Sequence, residues 1–421
     1  MSEFETDRPA GDANELRPIP RIAIQAFCET NEMAAVVEEA GADRRMSRAH
    51  LKVQMGGLPA AVEFYGSAPT PNLVIVETKG RAQEILSHLD GLAEVCDPGT
   101  KVLVVGHVND VVLYRELIRR GVSEYVVAPL SMFDLLHAIS ELYHNPEAAP
   151  VGRSIAFVGA KGGCGSSTFA HNVAWSIARS FANDVVIADF DLAWGTAGLD
   201  FNQDPTQGVL DALNAPDRVD EVFLDRLLTK CADHLSLLAA PAMLDRPYDF
   251  EELSFDAIVE AGRSVVPVLV LDLPHQWNAW VRRQLREADE VVIVAEPDLA
   301  NLRNAKNLID VMKASRPNDA PPRLVFNRVG VPKRPEIKPD DFARALDLPI
   351  SAAVPFDAAL FGNAANKGQM IGEVDPKHAT AEVFRALAAH VTGRSEIRKA
   401  RRPGLAQLMP LIEKLRARKA S

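Results

Sequence analysis

The chain has 421 residues, room for two or three domains at roughly 150 residues each. Its 47 % hydrophobic and 24 % charged residues match an ordinary globular protein and exclude a wholly disordered, collagen-like or disulfide-scaffold chain. Lys+Arg number 46 against 57 Asp+Glu, a net charge of −11 that argues against a general nucleic-acid coat.

The charge is uneven. Residues 394–421 carry nine Lys/Arg against two Asp/Glu, a net +7 that leaves −18 for the rest. The four cysteines, Cys28, Cys96, Cys164 and Cys231, lie too far apart for metal-ligand spacing and fit a reducing compartment. Residues 1–20 are polar, acidic and proline-punctuated, without the apolar core of a secretory signal, and read as disordered. No apolar run approaches the roughly 20 residues needed to span a bilayer, so a cytoplasmic protein is expected.

From Arg21 short apolar runs alternate with helix-like stretches. RIAIQAF, NLVIVE, KVLVVG and EYVVA read as buried strands, which predicts a parallel α/β domain over 21–145. NPEAAPVGR marks a linker, placed at 146–153. A second alternating block over 154–393 has room for seven or eight strands: SIAFVGA, DVVIADF, LSLLAA, VPVLVLDLP, EVVIVAEP, PRLVFNRV and SAAVPF are the candidates. The basic tail over 394–421 places Leu405, Leu408, Met409, Ile412 and Leu415 at helical spacing, interrupted by Pro410. It reads either as a solvated frayed helix or as a peripheral anchor for an anionic membrane or a partner helix.

The strongest signal is SIAFVGAKGGCGSST at 154–168, an apolar strand running through a glycine-rich turn into a helix. That order gathers backbone N–H groups and a helix N-terminus around one point, which suits a polyphosphate. Gly162, Gly163 and Gly165 allow close approach of an anion, and Cys164 fills the variable loop position. Ser167 and Thr168 offer hydroxyls, one for a Mg2+ ion and one for a phosphate oxygen. The ordinary pattern G-x-x-x-x-G-K-[ST] is only partly matched, with Ala160 at its first glycine, Ser166 at its lysine, and Lys161 five residues before. Glycine-rich strand-to-helix turns also serve packing alone. Three carboxylates that follow buried strands, Asp189, Asp191 and Asp272, lie where an open α/β sheet binds its ligand.

Together these residues resemble the ParA/MinD superfamily of P-loop NTPases. AKGGCGSST resembles its deviant Walker A motif, KGGxGKTT. Asp189 and Asp191 match its switch I Asp-x-Asp, and Asp272 before Pro274 matches its Walker B carboxylate. Asn327 in LVFNRV stands where relatives contact the adenine, and Pro355 in AVPFD resembles the next nucleotide-side loop. The GGxGSST loop, the segment FGNAANKGQMIGEV and the preceding smaller α/β domain resemble the CpaE/TadZ branch, which acts in assembly and localisation of Tad (Flp) pili.

The resemblance implies ATP and Mg2+ as cofactors, with Gly162, Gly163, Cys164, Gly165, Ser166, Ser167 and Thr168 cradling the phosphates. Lys161 would reach the nucleotide of a partner subunit in a homodimer, and Asp191 would orient the attacking water. Ser167, Asp189 and Asp272 would hold the metal. Serine at position 166 removes a point charge from the β/γ-phosphates, which implies slow or dimer-dependent hydrolysis. Unidentified pilus secretion components are the implied partners, at the cell pole or inner membrane surface. Two other readings are a DNA-partition ATPase, which salt-dependent binding of random duplex DNA would reveal, and a nucleotide-binding scaffold without hydrolysis, which single-turnover assays would reveal.

The first domain has the rhythm of a response-regulator receiver, a flavodoxin-like fold, without its chemistry. Glu77 stands at the phosphoacceptor position, Gln25, Ala26 and Phe27 replace the acidic pair, and Ala128 replaces the lysine before Pro129. Glu77 reads as a solvated strand-end residue, and the domain as a docking module.

Overall fold

A computed structural model describes residues 19–143, 151–241 and 243–393. The first twenty residues, apart from the last two, most of the 146–153 linker and the whole 394–421 tail lie outside the described residues.

Two β-sheets organise the described chain. The first contains β1 (Ala23–Cys28), β2 (His50–Met55), β3 (Leu73–Thr78), β4 (Lys101–Gly106) and β5 (Glu124–Val127), all parallel in the order β2-β1-β3-β4-β5. This is the flavodoxin-like order, as the receiver resemblance implied. β3 and β4 are runs of Val, Ile and Leu because helices cover both faces of the sheet. β2 was not predicted: it is an edge strand whose residues alternate between exposed and half-buried, so it has no continuous apolar run.

The structure overturns the solvated reading of Glu77. Its side chain is buried at the end of β3, where Oε2 accepts the Glu29 and Thr30 amides at 2.7 and 2.8 Å. Oε1 accepts the Thr30 hydroxyl at 2.8 Å and lies 3.0 Å from His107 Nε2. Burial opposes the charge, but these donors hold the carboxyl below its usual range.

The second sheet has eight strands: β6 (Arg153–Gly159), β7 (Val185–Asp189), β8 (Thr229–Ala232), β9 (Leu235–Leu238), β10 (Val268–Asp272), β11 (Glu290–Ala295), β12 (Arg323–Val329) and β13 (Ile350–Pro355). Their order is β13-β12-β11-β6-β10-β7-β9-β8, parallel except for the β8–β9 pair. β8, a short antiparallel edge strand, is the one the sequence reading missed. Successive residues of β6 face opposite layers. Ile155 and Phe157 pack with Phe169, Val173, Ile177 and Phe384, while Ala156 and Val158 pack with Phe255, Trp280 and Ile309.

The first α/β unit docks on the amino-terminal edge of the second sheet through buried ion pairs. Arg44 donates to Asp319 at 2.6 Å, and Arg45, which also pairs with Asp43, donates to it at 2.8 Å. Arg316 reaches the same carboxylate at 2.9 Å, and Arg263 pairs with Asp289. Burial works against the charge on Asp319, yet the surrounding guanidinium groups keep its carboxyl below the usual range. Removing one member of a buried ion cluster costs about 3–5 kcal/mol, whereas an exposed pair contributes about 1 kcal/mol or less. Asp319→Ala is therefore expected to lower the unfolding free energy by about 3 kcal/mol in chemical denaturation. Arg48→Ala, which breaks the more exposed pair with Glu260, should change it by less than about 1 kcal/mol.

Candidate functional site

β6 runs into the loop 160–165 and then into the helix Ser166–Phe181 at the carboxyl edge of the second sheet. Several carbonyl oxygens of the strand end and the loop are taken up by the protein. Gly159 O lies 2.9 Å from His275 Nδ1, Ala160 O accepts Asn304 Nδ2, and Cys164 O accepts Asn327 Nδ2, the last two at 2.9 Å. Lys161 O accepts the Cys164 amide. Turning these partial negative charges into the protein favours an anion on the amide side of the loop, at the positive end of the helix.

Gly163 and Gly165 have φ of +79° and +95°, which only glycine adopts without cost. A Cβ on Gly163 would meet open space, but one on Gly165 would come within 2.2 Å of Asn327 Nδ2. Cys164 is buried, with Sγ 3.2 Å from Val294 O, and burial first of all pushes its thiol up, so it packs the loop rather than reacting. Ser166, Ser167 and Thr168 form the half-exposed first turn of the helix, and the buried Ser166 Oγ has no hydrogen-bond partner. Lys161 is 54 % exposed, with Nζ 3.8 Å from Asp298.

The carboxylates come from the strand ends. β7 and β10 are paired in register with Asp189 beside Asp272, and both residues are buried. Asp189 accepts the amides of Asp191 and Ala197, each at 3.1 Å. Burial, and then Asp272, push its carboxyl up to about 7 against the opposing pull of His171. Asp191 is half-buried and accepts the Trp194 amide, and burial raises its carboxyl too.

His171, which the sequence reading passed over, is buried next to this pair. Its Nδ1 lies 2.8 Å from Asp200 and its Nε2 3.3 Å from Asp272. Burial alone would lower its pKa, but the two carboxylates outweigh burial and raise it, favouring the charged ring. The one available signal was its position four residues after Ser167, on the same helix face.

A cleft of about 380 Å3 continues from Thr168 between Asn327 and Arg328 of β12 and the segment Pro355–Asp357 after β13. Asn327 lines it, although its amide ends already bond Cys164 O and the Arg328 amide. All the sequence-predicted residues thus lie along one sheet edge. Braced carbonyls, glycines where the chain must turn, and two adjacent buried carboxylates lacking enough positive charge fit a polyphosphate with a divalent cation.

No family model matches the chain. In sequence it is 25 % identical over 250 residues to the septum site-determining protein MinD of Synechocystis, spanning 57 % of this chain and 90 % of that protein. A ParA family ATPase from Chlorobium tepidum matches in structure with a TM-score of 0.52 and 25 % identity, over 58 % of this chain and all of that one. The pilus assembly protein CpaE from Caulobacter crescentus is 57 % identical, over 31 % of this chain and 98 % of the solved one, with a TM-score of 0.30. The chain is a CpaE-like member of the ParA/MinD superfamily.

In this CpaE-like chain Gly165 has two reasons to be glycine and Gly163 one. Gly163→Ala should cost about 1 kcal/mol of stability for the left-handed backbone. Gly165→Ala should cost at least about 1 kcal/mol more, because Asn327 must also leave Cys164 O. Chemical denaturation of both variants checks the order, which equal losses would contradict.

Proposed function

We propose that this protein is an ATP- and Mg2+-binding switch that dimerises around nucleotide and places the assembly machinery of Tad-type pili. The observation that carries the reading is the glycine-rich loop, its Ala160 and Cys164 carbonyls bonded to Asn304 and Asn327, set one strand from the in-register pair Asp189 and Asp272.

In this reading the amides of Gly162, Gly163 and Gly165 and the hydroxyls of Ser166 and Thr168 hold the phosphates, with Cys164 packing the loop that presents them. Ser167, Asp189 and Asp272 hold the metal through its first ligands or its waters, and Asn327 and Pro355 border the nucleoside. Mg2+, when bound, neutralises polyphosphate charge and that of the carboxylate pair. Asp191 orients the attacking water in this reading. Lys161, exposed at the rim, is available to a second subunit's nucleotide. With Ser166 instead of lysine, one preorganised cation is missing from the phosphates, so turnover is slow or awaits a partner.

The pilus role is supported by the 57 % identity to a pilus assembly protein, and the ATPase role by the ParA-family match. The net charge of −11 argues against a DNA carrier. Among the described residues no helix is long and apolar enough to cross a membrane; the net +7 of residues 394–421 supports a peripheral membrane contact through that stretch. Action at the cell pole or inner membrane surface is part of the same proposal.

Sedimentation of the full chain with and without Mg·ATP tests the bridging role. The wild type is expected to shift from monomer to dimer with nucleotide, and Lys161→Ala to stay monomeric while still binding ATP. An unchanged shift in Lys161→Ala would overturn the bridge.

A further inference from the structure

His171 and Asp200 belong to none of the roles assigned above, yet their geometry bears on the same site. His171 lies on the phosphate-loop helix one turn after Ser167, on the same face. Its ring touches two elements at once: Nδ1 is hydrogen-bonded to Asp200, at the end of the segment 191–200 that begins with Asp191, and Nε2 stands 3.3 Å from Asp272 at the end of β10 as a charge pair without hydrogen-bond geometry. That segment is pinned to the core by Leu192 and Ala197, while Trp194 and Leu199 stand exposed at 67 % and 73 %. Its near part closes over Asp189, whose two oxygens accept the Asp191 and Ala197 amides. Gly195 comes so close that a Cβ there would stand 2.4 Å from Asp189 Oδ2. Its far part is held by Asp200, which takes the Thr196 hydroxyl at 3.3 Å and His171 at 2.8 Å.

We propose that His171 is a positioning residue of the nucleotide site, a strut that ties the segment carrying Asp191 to the strand end carrying Asp272. Metal-site geometry and the placement of Asp191 are then coupled through one ring. Resting on the nucleotide reading above, this adds a route by which Asp272 and the 191–200 segment sense each other. A histidine serving only to fill the core would leave that segment indifferent to its removal.

The test is hydrogen exchange on the full, nucleotide-free chain with His171→Phe, which keeps a ring of similar size beside Phe201, and with Asp200→Ala, which cuts the strut from its other end. Both variants are expected to speed exchange in 191–200 by about tenfold, with 173–181 and 268–272 changed by less than about twofold. In a second arm, the Mg2+ concentration for half-maximal binding of a fluorescent ATP analogue should rise about tenfold in His171→Phe and less in His171→Gln, which keeps a donor. Unchanged exchange in 191–200 for both variants, or equal loosening of the whole helix, would overturn the strut. If the wild type bound no ATP analogue, the nucleotide reading would fail while the exchange arm still decided the strut.

Discussion

The register between β7 and β10 governs the candidate site. Pairing Val268 with Val185 carries down both strands and leaves Asp189 and Asp272 side by side, buried, at the carboxyl edge of the sheet. Two adjacent buried carboxylates are unfavourable unless positive charge or hydrogen-bond donors surround them. The chain supplies two amides to Asp189 and one histidine ring near Asp272, yet burial beside Asp272 still pushes the Asp189 carboxyl up. That shortfall is what a divalent cation would meet, and the phosphate loop one strand away supplies the anion it would accompany.

The other edge of the sheet is occupied. Asp289 and Asp319 precede β11 and β12, and they receive Arg44 and Arg45 from the first α/β unit. Because the strands run parallel, docking at their beginnings leaves their ends uncovered. Trp194, Trp277 and Leu299 stand exposed around the loop on that open side. The division leaves room for the proposed switch: one edge joins the two units of the chain, and the other, which carries the phosphate-type loop and the carboxylate pair, is open.

The strand–loop–helix at 154–181 and the strand-end aspartates were legible because their meaning is local: a buried run, glycines, then a helix. The two missed strands had no such signature. Lys52 and Gln54 break the apolar run of β2, and β8 is four residues long at an edge. Glu77 was misread because what buries it, the Thr30 hydroxyl, two amides and His107, comes from loops some 30 to 48 residues away. His171 escaped for the same reason, since Asp200 and Asp272 meet it only after the sheet has formed. Spacing along a chain reveals groups that share one element, and these constellations assemble across several.

The most direct test of the central claim is equilibrium binding of ATP to the full chain with Mg2+ and with the metal chelated. If the Asp189–Asp272 pair and the loop form one site, the chain binds one ATP with Mg2+. Chelation, or Asp272→Asn with Mg2+ present, then weakens binding about tenfold or more. Equal affinity with and without metal, or no binding at all, would contradict the account.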